Sequence, residues 1–417
     1  MQRLKIYGKT RISGEISVQG AKNSALPLLS ACVLSKGKVT LHNCPRLSDV
    51  FAACRILSCL GCSCSFDGNT VTIDSGSISK SYVPDSLMRE MRSSIVFLGA
   101  ILGKMGECSL SFPGGCELGP RPIDMHLSAL RQMGVLIREE YGLLHCTCPK
   151  GLKGAKISLS FPSVGATENI MLAACLAKGD TFIYNAAREP EIIDLASFLN
   201  LCGARISGHG GSVIRITGVK ELHGCEYSVM PDRIVACTLL GAAAITEGEI
   251  TLKHSRPHDI DAVLPVFEQM GCNVYVYDDN IYLNARQKLQ AVRTIRTMPY
   301  PGFPTDAQAI IMAVLTKAHG TSVIVENIFE NRYRQVDELV RMGANIKVEG
   351  KVAVIEGVKN LYGANVVATD LRGGAALVIA ALAADGETVI SNIKLIDRGY
   401  EDIEKQLDSV GAKIYRY

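Results

Sequence analysis

The chain has almost no excess of charge of one sign. Its 44 Lys and Arg face 41 Asp and Glu, a net charge of +3 with the histidines neutral. So small an excess gives no electrostatic case for nucleic acid or an anionic membrane surface. The two signs are interspersed, with no block of like charge. No uninterrupted run of about 18 apolar residues occurs, so no membrane span is expected. The opening residues, Met1 to Gly8, show no apolar secretory core, and a cytoplasmic protein is expected. Gly-x-x-x-x-Gly-Lys-Ser/Thr is absent, which argues against P-loop ATP chemistry. No Rossmann glycine fingerprint stands in a strand–turn–helix context. No cofactor or metal is called for.

What the chain does have is 15 cysteines. In a reducing compartment they act as small hydrophobes. Cys59, Cys62 and Cys64, and Cys146 with Cys148 after His145, have metal-like proximity. The simpler reading is that they fill a helix end and a hairpin.

Self-similarity organises the sequence. Glycines at 61, 134, 203, 271, 343 and 411 each follow a helix-like apolar stretch and recur at intervals of 73, 69, 68, 72 and 68. A second series, Gly37, Gly106, Gly179, Gly248, Gly320 and Gly386, ends small-residue helices and precedes short alternating strands such as Ile250-Thr-Leu252. Hairpins follow, as in Asn273–Tyr277 and Ile281–Leu283. The unit reads strand, helix, strand, helix, strand, strand, and there are six. The chain is an α/β protein of βαβαββ repeats. The sixth copy stops at Tyr417 without its closing strand. Leu4–Tyr7 supplies a spare one before the first full unit opens at Glu15–Val18. The first helix of each unit, as in Leu239–Ile245 and Ala375–Leu382, is apolar all round and should be buried, with the sheets outside.

The polar residues gather at helix starts: Lys22-Asn23, Arg92, Thr167-Glu168, Asp232-Arg233, Thr305-Asp306 and Asp370-Leu-Arg372. Before the second helices stand Arg121, Arg188, Arg256, Arg332 and Arg398. Cations recur where the helix dipole alone favours acids. Equivalent helix ends fall on one side of stacked repeats, so these residues describe an anion site for a multiply anionic, phosphate-bearing substrate. The loop Pro113–Pro122, with three glycines and three prolines, departs most from its siblings. It carries Cys116 close to Arg121, the setting of a reactive thiol on a lid, with a pKa expected below the free value of roughly 8.5.

These segments carry a resemblance. Gly-Ala-Lys-Asn at 20–23, Met-Arg-Ser-Ser at 91–94, Pro-Gly-Gly-Cys at 113–116, Arg-Pro-Ile-Asp-Met-His at 121–126, Ser-Val-Gly-Ala-Thr at 163–167, Phe-Pro-Thr-Asp at 303–306, Phe-Glu-Asn-Arg at 329–332 and Ile-Asp-Arg-Gly-Tyr at 396–400 resemble the UDP-N-acetylglucosamine 1-carboxyvinyltransferases, an enolpyruvyl transferase family. The resemblance runs the length of the chain, in order. It implies two inside-out α/β domains of three repeats each, residues 22–229 and residues 1–21 with 230–417, with the active site in the cleft between them. It also implies transfer of the enolpyruvyl group of phosphoenolpyruvate to the 3′-hydroxyl of UDP-N-acetylglucosamine, the first committed step of peptidoglycan synthesis.

By that resemblance Lys22, Arg121 and Arg398 clamp phosphoenolpyruvate, and Asn23 hydrogen-bonds the reacting centre. Arg92, the segment Arg121, Pro122, Ile123, Asp124 and Met125, and Ile328 touch the nucleotide sugar, with Asp124 near the uracil. Asp306 is the general base. Cys116 is the general acid, a site of covalent adduct formation and of fosfomycin alkylation. Phe161-Pro162 stands where some members carry a lysine for the nucleotide phosphates. The sister transferase acting on shikimate 3-phosphate shares the fold, but without an expected Pro-Gly-Gly-Cys loop or Arg-Pro-Ile-Asp segment. A catalytically idle nucleotide-sugar-binding paralogue is opposed by the intact Cys116, Asp306, Lys22 and Arg398.

Overall fold

A computed structural model describes residues 2–114 and 123–417. The described residues divide into two compact units, residues 20–114 with 123–230, and residues 2–19 with 231–417. Each has its own hydrophobic core.

Both cores are built the same way round. In the unit containing 231–417, the helices Arg233–Ile245, Thr305–Leu315 and Leu371–Ala383 pack on one another. All thirteen residues of Arg233–Ile245 are buried. An all-buried helix needs small side chains so that neighbouring backbones can approach, and Ala and Gly dominate here. In the other unit the helices Phe97–Met105 and Val164–Ala174 make the same kind of contact. At Gly99 a Cβ would lie 2.2 Å from the Asn169 carbonyl oxygen, so only glycine permits that approach.

The sheets lie outside these helices. Among the described residues there are six four-stranded sheets and one two-stranded pair. Thr294–Arg296, Thr321–Val325, Val352–Glu356 and Asn345–Glu349 show the repeated order: one parallel pair, then two antiparallel pairs. Burial alternates along Val352–Glu356, with Ala353 and Ile355 turned to the helices. The second-helix glycines at 61, 134, 203, 271, 343 and 411 all have φ between 91° and 106°, the left-handed stop that the interval implies. In the other series the fourth repeat departs: Glu247, not Gly248, takes the positive φ.

Leu4–Tyr7 lies between Glu387–Ser391 and Lys413–Arg416 and pairs antiparallel with both. One sequence expectation is corrected. The strand Ser13–Ser17 does not open the first repeat; it pairs in parallel with Glu249–Lys253 of the fourth. The first repeat's Lys38–His42 takes Glu226–Ser228 as its parallel neighbour instead. Each of these strands turns an apolar side chain to the core of the unit in which it pairs. Ile16 is 7 % exposed in the core of its unit, and Tyr227 packs on the other core.

Candidate active site

In the unit containing 231–417, Asp306 is the second residue of the helix Thr305–Leu315. A carboxylate there meets unsatisfied N–H groups and the positive helix end. Arg332 Nη2 donates to Asp306 Oδ1 at 2.7 Å, and Arg372 Nη2 to Oδ2 at 3.4 Å. Both arginine side chains are 2 % exposed, while Asp306 keeps 28 %. The acid is therefore gripped from the protein side with an edge left open. Arg332 also donates to the Thr305 carbonyl through Nε and Nη2, fixing the backbone beside the acid. Arg372 lies over the Tyr400 ring, 5.3 Å from its centroid, and Tyr400 and Thr238 hydroxyls are 2.9 Å apart. Arg372 Nε and Nη1 have no hydrogen-bond partner among the described residues.

Arg398 ends the short 3₁₀ segment Ile393–Arg398. Its neighbour Asp397 receives two bonds from Arg416, at 2.7 and 3.0 Å, and Arg416 also holds Glu404. Gln19 ties the following residues, donating to the Gly399 carbonyl and accepting from the Glu401 N–H. Ile328 lies in the turn after the strand Thr321–Val325, and its N–H donates to the Glu326 carboxylate at 2.7 Å.

In the unit containing 20–230, Lys22 opens the helix Lys22–Ala31. A cation there opposes the helix dipole. Buried Asp49, in the first turn of Ser48–Leu60, compensates at 3.8 Å from Nζ. Asn23 follows, half-buried. The next residue, Ser24, donates to the buried Asp194 carboxylate, which also accepts from Tyr227 at 2.8 Å. Arg92 opens the 3₁₀ segment Arg92–Val96. Behind it His126 is buried, its Nδ1 accepting from Asn169 Nδ2 at 2.9 Å. Burial first, and then the Arg92 charge, push the His126 pKa down to about 4. Ile123 is buried ahead of the helix Asp124–Gln132. Asp124 and Met125, on that helix, line a groove of about 480 Å³ together with Arg131, Glu139, Ser158 and Ser160. Cys116, Arg121 and Pro122 lie outside the described residues.

The basic residues singled out at helix starts separate into distinct kinds. Arg188 and Arg256 are exposed. Arg233, Arg332 and Arg372 are buried. Arg332 and Arg372, expected in an anion site, are counter-ions of Asp306. Asp49, Glu326 and the His126–Asn169 pair were missed in the sequence because a lone acid or amide has no period; their only signal is a polar residue at an otherwise apolar position. The 14 described cysteines are free thiols, and among the described residues no group of His, Cys, Asp and Glu could hold a metal. No helix among the described residues is long and apolar enough to cross a membrane.

Inward helices, outward βαβαββ sheets and an acid gripped by two arginines define the class. Residues 6–407 match the family described as EPSP synthase (3-phosphoshikimate 1-carboxyvinyltransferase). The enolpyruvyl transferase NikO of Streptomyces tendae superposes with a TM-score of 0.90 at 24 % identity, over 100 % of this chain and 98 % of that one. The EPSP synthase of Acinetobacter baumannii gives 0.81 at 20 %, over the whole of both chains. The finer assignment comes from sequence. UDP-N-acetylglucosamine 1-carboxyvinyltransferase 2 of Caldanaerobacter subterraneus is 51 % identical over the full length of both proteins. UDP-N-acetylglucosamine 1-carboxyvinyltransferase of Acinetobacter baylyi is 47 % identical, also over both full lengths. The chain belongs to the UDP-N-acetylglucosamine 1-carboxyvinyltransferase family of enolpyruvyl transferases.

Proposed function

We propose that this protein transfers the enolpyruvyl group of phosphoenolpyruvate to the 3′-hydroxyl of UDP-N-acetylglucosamine and releases phosphate, the first committed step of peptidoglycan synthesis in the cytoplasm. The observation that carries the mechanism is Asp306, held at a helix start by two buried arginines with an edge open. Family membership at 46–51 % identity supports the choice of acceptor over shikimate 3-phosphate. The two domains are residues 22–229 and residues 1–21 with 230–417.

The chemistry assigns each group one task. Lys22, Arg121 and Arg398 hold the phosphate and carboxylate of phosphoenolpyruvate, with Asn23 at its reacting carbon. Two anionic groups on one small molecule need several cations in fixed geometry. The Cys116 thiol gives its proton to the methylene carbon, and the double-bond electrons take it. Positive character develops at the adjacent carbon. Asp306 removes the proton of the 3′-hydroxyl, and that oxygen bonds the electron-poor carbon. The Cys116 thiolate left by the first step then takes back a methyl proton. Those C–H electrons re-form the double bond as the carbon–oxygen bond to phosphate breaks, and phosphate leaves with its electron pair. Asp306 returns its proton to solvent. The cations stabilise the departing phosphate. Arg92, Ile123, Asp124, Met125 and Ile328, with Arg121 and Pro122, position the nucleotide sugar.

The test is phosphate release from phosphoenolpyruvate with UDP-N-acetylglucosamine present. Wild type should turn over, and Cys116→Ser and Asp306→Asn should each lose a factor on the order of 10²–10⁴ as proton-transfer groups. A near-normal rate in either variant removes that residue from the mechanism.

A further inference from the structure

Glu326 is 1 % exposed and stands just past the strand Thr321–Val325. Burying a carboxylate is costly unless donors replace its water. Four do. Oε1 accepts from Thr297 Oγ1 at 2.9 Å, Ile328 N–H at 2.7 Å and Phe329 N–H at 3.1 Å. Oε2 accepts from Thr305 Oγ1 at 3.0 Å. Thr297 closes the ring by accepting from the Asn327 N–H at 2.8 Å.

These bonds join two pieces of chain with different tasks. Thr305 precedes Asp306 and begins its helix. Ile328 and Phe329 form the turn that leads to Arg332, whose guanidinium lies 5.8 Å from the Phe329 ring centroid and grips Asp306. One carboxylate therefore sets both the turn and the helix start.

We propose that Glu326 is a positioning residue for the transfer: it fixes the Ile328–Phe329 turn and the Asp306 carboxylate in one mutual geometry, so that the acceptor hydroxyl meets the base in line. This rests on the reading of Asp306 as base and Ile328 as a nucleotide-sugar contact. Charged hydrogen bonds to backbone N–H groups are short and directional, which suits the task. A misplacement of about 1 Å in a reacting pair costs on the order of 10²-fold in rate.

The experiment compares Glu326→Gln, Thr305→Val, Thr305→Ser and Asp306→Asn by steady-state kinetics, with thermal unfolding followed by circular dichroism. Thr305→Val keeps the volume but removes the donor to Oε2. Its kcat should fall about 10–100-fold, with KM for phosphoenolpyruvate within twofold of wild type, and Thr305→Ser should restore kcat. Glu326→Gln should lower kcat and raise KM for UDP-N-acetylglucosamine. A purely structural role would lower the unfolding midpoint but leave kcat per folded molecule, and that result overturns the proposal. So does failure of Thr305→Ser to restore kcat, or kcat within twofold of wild type in either Thr305→Val or Glu326→Gln. Asp306→Asn separates the two readings. Near-normal turnover there sinks the base assignment, and the positioning proposal with it. Inactive Asp306→Asn beside normal Thr305→Val sinks the positioning proposal alone.

Discussion

His126 and Glu168 show how a buried titratable residue writes itself into pH dependence. His126 has an ordinary pKa near 6.5, pushed down to about 4 by burial and by Arg92. The unfolded chain therefore binds a proton at this site between those values while the folded one does not. Its contribution to stability is present above pH 6.5 and is lost as pH falls towards 4. The full difference is on the order of 3 kcal/mol. His126→Gln keeps an acceptor for Asn169 but cannot titrate. Urea unfolding at pH 7 and pH 4.5 should show a smaller loss for the variant; equal losses would contradict the assignment. Glu168 has the opposite sign. It is buried in the helix Val164–Ala174, and burial, then repulsion from Glu191 and Glu189, push its pKa well up. The unfolded chain releases that proton as pH rises through the ordinary carboxylate range, and the folded chain retains it. Stability from this site falls as pH rises. Glu168→Gln should raise the unfolding midpoint more at pH 8 than at pH 5, and an equal rise at both would refute the reading.

Among the elements, the strand Leu4–Tyr7 tests how the sixth sheet is completed. It sits between two strands of the chain's last repeat, with Leu4 and Ile6 fully buried. Ile6→Ala removes core packing and leaves a cavity, and should cost about 2–5 kcal/mol in chemical unfolding. A cost below about 0.5 kcal/mol, the level of surface changes, would mean that the strand is dispensable. At this scale the sequence was readable where a pattern repeats. Six glycines at near-constant spacing announced six left-handed helix stops, and the missing closing strand of the last repeat pointed to a spare at the start. It was unreadable where only a partner distinguishes alternatives. Ser13–Ser17 and Glu226–Ser228 have strand-like patterns of their own. Their neighbours, Glu249–Lys253 and Lys38–His42, lie far away in the chain. Local alternation carries no record of that pairing.

For the whole molecule, the repeat explains why helix starts recur as polar positions, and the proposed chemistry rests on the departures between copies. Lys22 and Asp306 stood out in the sequence as polar residues at the starts of first helices, and Arg398 as a cation ahead of a second helix. Asp49, Glu326 and Arg372 support them through contacts that only folding creates: an ion pair, a ring of four donors and a guanidinium over Tyr400. The groove beside Asp124 likewise depends on Ser158 and Ser160, brought from another segment. The acceptor decides which transferase this is. The most direct measurement offers the enzyme phosphoenolpyruvate with equal amounts of UDP-N-acetylglucosamine and shikimate 3-phosphate, and identifies by mass spectrometry which acceptor gains the enolpyruvyl group. The nucleotide sugar alone should carry it, on its 3′-oxygen. Enolpyruvyl shikimate 3-phosphate as the product, or phosphate release with both acceptors unchanged, would contradict the account.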